Sequence, residues 1–388
     1  MHLSFLECNE CDKWLTTREV HGVCPDCGMP LEARYDLEGV AVTPAELELR
    51  TDGSMWRFRE VLPLREPAEA VTLGEGDTPL LQLPRLGAHL GLARLSVKDE
   101  AKNPTGSFKA RGMSVAVSMA RQLGATALAA PSAGNAGGAL AAYGARAGLP
   151  VHLAMPKDVP EANLLEAEIC GAKVELIDGN IRDCGAWLAE AARQHGWYDL
   201  STLKEPYRVE GKKTMGYEIA MQLGWSLPDV ILYPTGGGTG LVGIWKAFQE
   251  LRQLGWLAED SRLPRMVAVQ AEDCAPIVDA FHAGAEGAKA PGDPRTVAAG
   301  IRVPAPIGDR WMLRVLRESE GTAVAVSDQE LLAGTRLLAR KEGLFTAPEA
   351  GALVAAAHKL ALNGSLREPE RVLLILTGTG LKYLPSFR

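Results

Sequence analysis

Four cysteines near the N-terminus have the spacing of metal ligands. Cys8 and Cys11 form one pair, and Cys24 and Cys27 form a second pair after twelve intervening residues. Each pair brings two thiolates to a tight turn, with Gly28 relieving the backbone after the second pair. Four thiolates then complete a closed tetrahedral site that serves structure rather than catalysis. Two disulfides, or a ribbon that has lost its metal, are the alternatives, and a reducing compartment disfavours disulfides. The spacing therefore predicts a zinc ribbon.

A lysine at a predicted helix start is the second group that could do chemistry. The turn-rich stretch Asn103–Ser107 leads into Phe108 and Lys109, and Ser107 is available to cap the helix. The positive end of the helix dipole disfavours an ammonium at Lys109. A lysine that loses its proton becomes a nucleophile toward an aldehyde and later a general base. A lysine in this position is most often a solvated surface residue, so the surrounding motifs decide its role.

A loop of small residues is the third candidate. It contains Ser132, Gly134, Asn135 and Ala136, and it follows a predicted strand and opens a predicted helix. Small residues let backbone amides approach an anion closely, so the loop is suited to a substrate carboxylate at the helix N-terminus. Asn135 would donate to a ring hydroxyl. A tight corner that binds nothing is the alternative.

A glycine-rich loop is the fourth candidate. It consists of Gly236, Gly237, Gly238, Thr239 and Gly240, again between a predicted strand and a predicted helix. Consecutive glycines let several backbone N–H groups converge on a phosphate without a lysine. The same glycines partly match the G-x-G-x-x-G pattern of dinucleotide sites, but no ribose-binding acid follows a second strand. A nicotinamide-dependent oxidoreductase is therefore the weaker alternative.

A threonine completes the set. Thr377 follows the final predicted strand, and ligands of open α/β sheets bind beyond the carboxyl ends of strands, where this hydroxyl would meet a ring nitrogen. A simple strand-ending turn is the alternative. The lysine, the asparagine loop, the glycine loop and this hydroxyl occur in an order that one cofactor explains. That cofactor is pyridoxal 5'-phosphate.

With these segments, the chain after about residue 70 resembles the fold type II pyridoxal-phosphate enzymes and, among them, the threonine synthases. The most specific matches are Asn-Pro-Thr-Gly-Ser-Phe-Lys, which ends at Lys109, and Leu-Thr-Gly-Thr-Gly-Leu-Lys, which begins at Leu376. The resemblance implies that Lys109 is the Schiff-base lysine. It also implies cofactor contacts from Phe108, the ring-oxygen contact Asn135, the phosphate loop Gly236–Gly240 and the ring-nitrogen contact Thr377.

The resemblance also implies a substrate. Threonine synthases convert O-phosphohomoserine and water to threonine and phosphate, so a second anion site is expected. Arg208, in a segment that looks like the one ahead of a large-domain helix, is the first candidate, and Ser132 is the second. A surface ion pair of Arg208 with Glu205 or Glu210 is the alternative. Lys109 would remove the α-proton and move protons at the β-carbon, phosphate would leave the γ-carbon, and water would add at the β-carbon.

Three positions depart from the threonine synthase pattern. Ala110 follows the lysine where many members have aspartate, alanines flank the Gly134-Asn135 pair where many have hydroxyl residues, and Ala347-Pro348-Glu349 replaces the more usual Glu-Pro-Ala. Fewer hydroxyls mean fewer phosphate donors. A related β-replacement enzyme or a serine/threonine deaminase on the same scaffold is therefore the other candidate function.

Short apolar runs alternate with amphipathic stretches through most of the chain, which favours parallel sheets. The predicted strands are Thr126–Ala130, Val151–Met155, Val174–Ile177, Val230–Tyr233, Met266–Gln270 and Val372–Leu376. The predicted helices are Ser107–Leu123, Asn135–Ala147, Ala162–Cys170, Asp183–His195, Leu241–Leu254, Asp328–Glu342 and Pro348–Leu362. The expected fold is α/β, with two open twisted parallel-sheet lobes of the tryptophan synthase β-like class and an N-terminal zinc ribbon.

Four segments make up the expected domain organisation. They are a zinc ribbon (1–40), a first part of a large cofactor domain (41–111), a small α/β domain (112–204) and a second part of the large domain (205–388).

Composition limits the partners of the chain. The formal net charge of -7 and the absence of a long apolar run or a basic leader predict a soluble cytoplasmic enzyme that binds a small amino-acid substrate and neither nucleic acid nor membrane. Cys170, Cys184 and Cys274 are expected to be small buried side chains, since none lies beside a plausible base. Analogy with the resembled family predicts a homodimer.

Overall fold

Strands and α-helices alternate through most of the chain. The computed structural model describes residues 2–388. Its strands are β1 (Leu3–Cys8), β2 (Trp14–Leu15), β3 (Leu31–Tyr35), β4 (Leu80–Gln82), β5 (Arg94–Asp99), β6 (Leu128–Pro131), β7 (Val151–Pro156), β8 (Lys173–Ile177), β9 (Tyr198–Asp199), β10 (Val230–Pro234), β11 (Arg265–Ala271), β12 (Thr322–Val326) and β13 (Arg371–Leu376). Its α-helices are α1 (Pro44–Leu49), α2 (Pro84–Leu90), α3 (Lys109–Gln122), α4 (Asn135–Ala147), α5 (Glu161–Ile169), α6 (Ile181–His195), α7 (Tyr207–Gln222), α8 (Thr239–Gln253), α9 (Pro276–His282), α10 (Asp309–Glu318), α11 (Asp328–Glu342) and α12 (Pro348–Leu362).

Local capping chemistry explains why several helix ends agree with the sequence prediction. The predicted bounds of α4, α11 and α12 match the structure to the residue. In α11 the side chains of Ser327 and Glu330 form a reciprocal capping box, and Gly343 ends the helix with a φ of 75°. Such a box satisfies two N–H groups that the first turn cannot pair, and glycine adopts the left-handed end conformation without steric cost.

The chain divides into two compact units. Unit 1 comprises the residues up to Asp77 together with Asn103–Glu218 and Lys246–Trp256. It holds an antiparallel sheet of order β2-β1-β3 and a parallel sheet of order β8-β7-β6-β9. Its apolar core is continuous from β1 and β3 to α3 and α4. The three-stranded sheet therefore shares a core with the helix that begins at Lys109.

Unit 2 comprises Thr78–Lys102, Ile219–Trp245 and Leu257–Arg388. Its sheet has the order β12-β11-β10-β13-β5-β4, in which β4 alone of the described strands runs antiparallel to its neighbour. The central strands β10 and β13 are apolar on both faces because helices cover the sheet. The carboxyl ends of these two strands lead into the glycine loop and into Thr377.

The predicted α/β class with two parallel-sheet lobes is confirmed. The prediction was incomplete where elements are short or lack a clear pattern: β1 to β5, β9, β12, α1, α2, α7, α9 and α10 were not foreseen. The predicted cap at Ser107 is wrong, because the helix begins at Lys109 with Phe108 as its first flanking residue and no side-chain cap. The four-part domain division stays a prediction.

Among residues 2–388, no helix combines the length and the apolar character that a membrane crossing requires. Cys184 and Cys274 are buried as expected, whereas Cys170 is only half-buried.

Candidate functional site

The four N-terminal cysteines converge on one point. Their Sγ atoms all lie within 4.8 Å of one another, with 3.3 Å between Cys8 and Cys27 and 3.6 Å between Cys11 and Cys24. Tetrahedral zinc with Zn–S bonds of about 2.3 Å spaces its sulfurs by about 3.8 Å. Gly28 follows with a φ of 73°, which allows the tight second turn. The donor set and its spacing therefore fit a closed zinc site.

The thiols of this cluster differ in their pKa values. Burial opposes ionisation of Cys24, but the backbone N–H groups of Cys27 and Asp26 bring the pKa of its thiol down to about 7. A backbone donor from Met29 lowers the pKa of Cys27, yet burial and the other three thiols together raise it to about 12. Without a cation the cluster thus combines easily ionised and protonated sulfurs. A divalent cation would displace the remaining protons.

Lys109 is the first residue of α3 and is half-buried. The preceding turn places Thr105 and Gly106 at φ values of 60° and 62°, and the left-handed conformation costs a residue such as threonine about 1 kcal/mol. Such strain is concentrated at functional sites. The Lys109 ammonium lies 4.5 Å from the centroid of the Phe108 ring. The turn and the ring therefore both fix the direction of this side chain.

Lys212 is a functional candidate that sequence reasoning missed. Its ammonium is fully buried and donates to the carbonyl oxygens of Phe108 at 2.9 Å and of Lys109 at 3.2 Å. Gly112 makes room for it, because a Cβ there would lie 2.5 Å from the Lys212 Nζ. Lys212 thus places a buried ammonium at the start of α3, 4.8 Å from the centroid of the Phe108 ring that the Lys109 ammonium also approaches. In the sequence, the Lys212-Lys213 pair resembles ordinary surface charge.

The asparagine loop opens α4 at Asn135, with Gly134 as the residue before the helix. The buried hydroxyl of Ser132 donates to the Gly134 carbonyl oxygen at 2.8 Å and accepts the Gly137 N–H at 2.8 Å. These bonds hold the loop in shape. Ser132 therefore has its proton engaged within the loop, whereas Asn135 and Ala136 are half-buried at the first positions of the helix.

Arg208 lies in the first turn of α7 and is 1% exposed. Its Nη1 donates to the carbonyl oxygen of Leu200 at 2.7 Å, and its Nε and Nη2 have no hydrogen-bond partner in the described part of the chain. The surface ion pair considered as the alternative is therefore wrong, as is the expectation that Arg208 precedes the helix. Nε and Nη2 share one edge of the guanidinium, which is the edge that binds phosphate in a bidentate manner.

Glu205 sets the electrostatics around Arg208. Its carboxylate accepts the backbone N–H groups of Tyr207 at 2.7 Å and of Arg208 at 3.0 Å. Burial raises the pKa of Glu205 to about 7 even though Arg208 opposes the shift. Burial likewise lowers the pKa of Arg208 below its usual value. A bound anion beside Glu205 and Arg208 would therefore change the electrostatic environment of both side chains.

The glycine loop connects β10 to α8 in unit 2. Gly238 has a φ of 81°, and a Cβ there would lie 2.1 Å from the Met312 Sδ. A Cβ on Gly236 would lie 2.9 Å from the carbonyl oxygen of Gly300, and one on Gly240 would lie 2.0 Å from the hydroxyl of Tyr233. Each of these positions excludes a side chain for a packing reason. The loop therefore presents backbone to its surroundings, as a phosphate cradle requires.

Thr377 is the first residue after β13 and is 7% exposed. The turn that follows is held by a bond from the Ala347 N–H to the Gly378 carbonyl oxygen at 2.9 Å. The hydroxyl of the neighbouring Thr346 is buried and lacks a hydrogen-bond partner in the described part of the chain. Sequence reasoning missed Thr346, because nothing local distinguishes it from other threonines.

The candidate residues thus fall into two groups. Unit 1 contains Phe108, Lys109, the asparagine loop, Arg208 and the cysteine cluster, and unit 2 contains the glycine loop and Thr377. Within unit 1, α3 packs against α4, and the turn before Lys109 packs against α4 as well. The buried hydroxyl of Ser107 also lacks a hydrogen-bond partner in the described part of the chain. Unit 1 thus offers unused buried donors, and unit 2 offers a glycine-rich backbone loop; each by itself has groups suited to an anion.

Comparisons with known proteins agree with this chemistry. Residues 71–378 match the family model described as pyridoxal-phosphate dependent enzyme. The glycine loop lies within that match, so the nicotinamide alternative loses its support. A threonine synthase of Methanosarcina acetivorans is 40% identical over 97% of this chain and 92% of its own length. A threonine synthase of Mycobacterium tuberculosis is 34% identical over 88% of this chain and 92% of its own length.

Solved structures agree on the fold. The threonine deaminase of T.th. superposes with a TM-score of 0.64 at 26% identity, covering 78% of this chain and 92% of its own. A maize serine racemase superposes with a TM-score of 0.67 at 20% identity, covering 78% of this chain and 88% of its own. With the motifs, the fold and the relatives in agreement, the chain belongs to the family of pyridoxal-phosphate-dependent enzymes, and within that family to the threonine synthases.

Proposed function

We propose that this chain converts O-phosphohomoserine and water to threonine and phosphate. The observation that carries the proposal is Arg208, a buried guanidinium with one edge that has no hydrogen-bond partner among residues 2–388. A deaminase or racemase acting on an unphosphorylated amino acid has no use for such an edge, because its substrate carries no phosphate. Arg208 would bind the substrate phosphate and hold it until the γ-carbon bond breaks.

The cofactor contacts proposed here follow the residue types. Lys109 would hold pyridoxal phosphate covalently with Phe108 beside it, Asn135 would donate to the ring oxygen, and Gly236–Gly240 would bind the cofactor phosphate through backbone N–H groups. When bound, pyridoxal phosphate supplies the electron sink that stabilises negative charge on the substrate carbons. Thr377 would offer a neutral hydroxyl to the ring nitrogen, and such a hydroxyl does not require that nitrogen to be protonated.

Lys109 is the proposed base. The helix dipole disfavours a proton on its amine, so the amine can accept the α-proton of the substrate and then transfer protons at the β-carbon. Gly134 and Ala136 would present the backbone of the α4 N-terminus to the substrate carboxylate, with Ser132 shaping the loop. A β-proton is removed as the γ-carbon–oxygen bond breaks and the bond electrons leave with phosphate; the γ-carbon then takes up a proton, and water adds at the β-carbon.

One assay tests the activity directly. The purified holoenzyme is incubated with O-phosphohomoserine, and phosphate and threonine are measured in parallel. We expect equal amounts of both. Lys109→Ala should lower the rate by about 1,000-fold or more, because it removes the general base as well as the covalent link. Full turnover by Lys109→Ala, or borohydride treatment that leaves Lys109 unmodified, would contradict the assignment of this lysine.

A serine/threonine deaminase remains the second candidate, and the fold shared with a threonine deaminase supports it. Phosphate release without threonine would indicate an eliminase. Ammonia release from serine or threonine, with no reaction of the phosphorylated substrate, would replace the proposal by a deaminase.

We also propose that Cys8, Cys11, Cys24 and Cys27 bind one structural zinc ion. Support comes from the mutual spacing of the four sulfurs and from the core that the three-stranded sheet shares with α3. Metal analysis of the purified protein should give one zinc per chain. Cys24→Ser should lose the metal and lower the melting temperature of the protein.

A homodimer in the cytoplasm is the proposed state of the enzyme. All seven cysteines are free of disulfides, which suits a reducing compartment, and the dimer rests on analogy with the resembled family. Light scattering after size-exclusion chromatography should give twice the 41.5 kDa mass of the chain.

A further inference from the structure

Polar side chains of β3 enter the interior of unit 1 and meet helices far along the sequence. The hydroxyl of Tyr35 donates to the Glu210 carboxylate at 2.7 Å. The Lys246 ammonium lies 3.7 Å from the Glu32 carboxylate and donates to the carbonyl oxygen of Ala33. Thus the strand that follows the cysteine cluster is bonded both to α7, through Glu210, and to α8, through Lys246.

These contacts belong to a buried ion cluster formed by Glu210, Lys213, Lys246 and Glu250. Lys213 and Lys246 each approach Glu210 to 2.7 Å, and Lys213 approaches Glu250 to 3.0 Å. Burial opposes ionisation of Glu210, but Lys213 and Lys246 hold its pKa below the usual value. Removing one partner from such a cluster is costly, because a buried charge loses its compensation. The geometry of α7 at Glu210 is therefore firmly determined.

A second connection joins the N-terminal segment, which runs from Cys8 to Tyr35, to the chain around Leu200, the residue that accepts a hydrogen bond from the Arg208 guanidinium. The hydroxyl of Tyr198 in β9 donates to the carbonyl oxygen of His21 at 3.1 Å. A Cβ on Gly22 would lie 3.3 Å from the carbonyl oxygen of Lys204, so the backbones pack closely here. Between these two points along the chain lies Leu200, whose carbonyl oxygen accepts the Arg208 Nη1 bond.

Arg208 is thus supported from two directions, and both supports contact the N-terminal segment. Glu210 is two residues from Arg208 on α7 and is bonded to Tyr35. Leu200 bonds the guanidinium itself, two residues after Tyr198. His21 lies between the two cysteine pairs, and Tyr35 lies in the strand that follows them. Displacement of either contact would move the unused edge of Arg208.

We infer that the four-cysteine module positions Arg208 for phosphate, with Tyr35 and Tyr198 as the positioning residues. The inference rests on the role proposed above for Arg208. Binding of metal at the cysteines fixes the segment 8–27 and the start of β3, and these hold α7 and the chain after β9 in place. Loss of the metal therefore weakens phosphate binding without any change in the residues that contact phosphate.

The test uses the holoenzyme and inorganic phosphate, the proposed product, as the probe. Phosphate affinity is measured by isothermal titration for wild type, Arg208→Lys, Tyr35→Phe and Tyr198→Phe, each before and after removal of metal with a chelator. Tyr35→Phe keeps the ring that lies 3.8 Å from the Lys213 ammonium, so the variant retains its packing. The visible absorbance of the bound cofactor and the melting temperature are recorded for each sample.

We expect Tyr35→Phe to bind phosphate about fivefold to tenfold more weakly than wild type, since it loses one hydrogen bond to a charged group. Chelation of wild type should produce a loss of similar size. Chelation should weaken phosphate binding by a smaller factor in Tyr35→Phe than in wild type, because the effects of coupled perturbations are not additive. KM for O-phosphohomoserine should rise in parallel, with kcat and the cofactor absorbance little changed.

Tyr143→Phe is the matched control. Its hydroxyl also donates to a buried carboxylate of unit 1, that of Glu75, so this bond does not involve the N-terminal segment. It should lower the melting temperature and leave phosphate affinity unchanged. Equal phosphate affinity in wild type and Tyr35→Phe, or an equal loss in Tyr143→Phe, would overturn the inference.

The design separates this inference from the proposed function. Phosphate binding that depends on Arg208 and on Tyr35, in a protein that does not turn over O-phosphohomoserine, would support the positioning role and refute the substrate. Wild type that binds no phosphate through Arg208 would overturn the positioning role as well. Turnover with unchanged phosphate affinity in Tyr35→Phe would refute the positioning role alone.

Discussion

The two phosphate-binding regions proposed for this chain use opposite means. Arg208 in unit 1 is a single buried cation. Its Nη1 donates to the Leu200 carbonyl oxygen and its backbone N–H donates to the Glu205 carboxylate, while the edge formed by Nε and Nη2 has no hydrogen-bond partner in the described part of the chain. The Gly236–Gly240 loop in unit 2 carries no charge and excludes side chains through its packing against Met312 and Gly300. One region depends on charge and orientation, and the other depends on shape.

This difference suits the two ligands. A cofactor that stays bound can be held by many weak backbone donors in a rigid loop, because the loop loses little freedom on binding. A product that must leave each cycle is better held by one charged group whose strength its neighbours adjust. The comparison therefore predicts that added side-chain volume in the glycine loop lowers cofactor affinity. At Arg208, by contrast, changes of charge and hydrogen-bond geometry should lower substrate affinity.

The largest effect is expected in the glycine loop. Gly238→Ala places a Cβ 2.1 Å from the Met312 Sδ on a backbone with φ of 81°, so the loop must change shape. We expect cofactor affinity to fall by about 100-fold or more, corresponding to about 3 kcal/mol, with loss of the visible absorbance after dialysis.

Gly185→Ala in α6 is the matched control, because a Cβ there meets nothing within 4 Å. It should retain the cofactor and should not lower the melting temperature, since alanine favours helix over glycine. A Gly238→Ala protein that keeps its cofactor through dialysis would show that the shape of the loop is not what binds the phosphate.

The next effect is expected at Arg208. Arg208→Lys keeps the charge but loses the planar edge formed by Nε and Nη2. KM for O-phosphohomoserine should rise by about 10-fold to 100-fold, while the cofactor absorbance stays at the wild-type value. Parallel loss of the cofactor would contradict the separation between the two regions, and an unchanged KM would remove Arg208 from the substrate site.

A smaller, pH-dependent effect is expected at Glu205. The folded pKa of Glu205 is about 7, above the ordinary value of 4.5, because burial favours the protonated carboxyl. The stability that this protonated carboxyl contributes is fully present below pH 4.5 and is lost as pH rises through about 7. The charge that appears on Glu205 faces Arg208 and Lys212 and competes with a bound anion. Phosphate affinity of wild type should therefore fall by about twofold to fivefold more than that of Glu205→Gln between about pH 6 and pH 8.

The measurement is the ratio of the phosphate affinity of wild type to that of Glu205→Gln at each pH. Because phosphate itself titrates equally in both experiments, its titration does not affect this ratio. The ratio should show one step centred near the folded pKa of the carboxyl. A ratio that does not vary with pH would mean that Glu205 keeps one charge state throughout this range.

The smallest effect is expected at Ser107. Its hydroxyl is buried without a hydrogen-bond partner in the described part of the chain, so Ser107→Ala should raise the stability of the cofactor-free protein by about 1 kcal/mol. If the hydroxyl contacts the cofactor, this gain should disappear in the holoenzyme. Comparing melting temperatures with and without the cofactor measures the difference, and destabilisation of the cofactor-free form would show that the hydroxyl has a structural partner.

Sequence patterns predicted the local features well. Helix α4 begins with the glycine-rich turn at Gly134, and α11 has its cap at Ser327 and its glycine end, so both helices could be bounded by residue type alone. Helix α7 was missed for a physical reason. Its charged residues Glu210, Lys212 and Lys213 are all fully buried, so its pattern resembles a solvated surface rather than an amphipathic helix.

Residue type and spacing alone determined the cysteine pairs, the lysine at a helix start and the two glycine-containing loops proposed to bind anions, because each depends on neighbours a few residues apart. Tertiary structure decided that Arg208 is buried with one edge unpaired within the described residues, that Lys212 donates to the carbonyl oxygens of Phe108 and Lys109, and that Tyr35 bonds Glu210 across 175 positions. The physical reason is that burial and pairing of charges arise between segments distant in sequence, and no local preference encodes which segments meet.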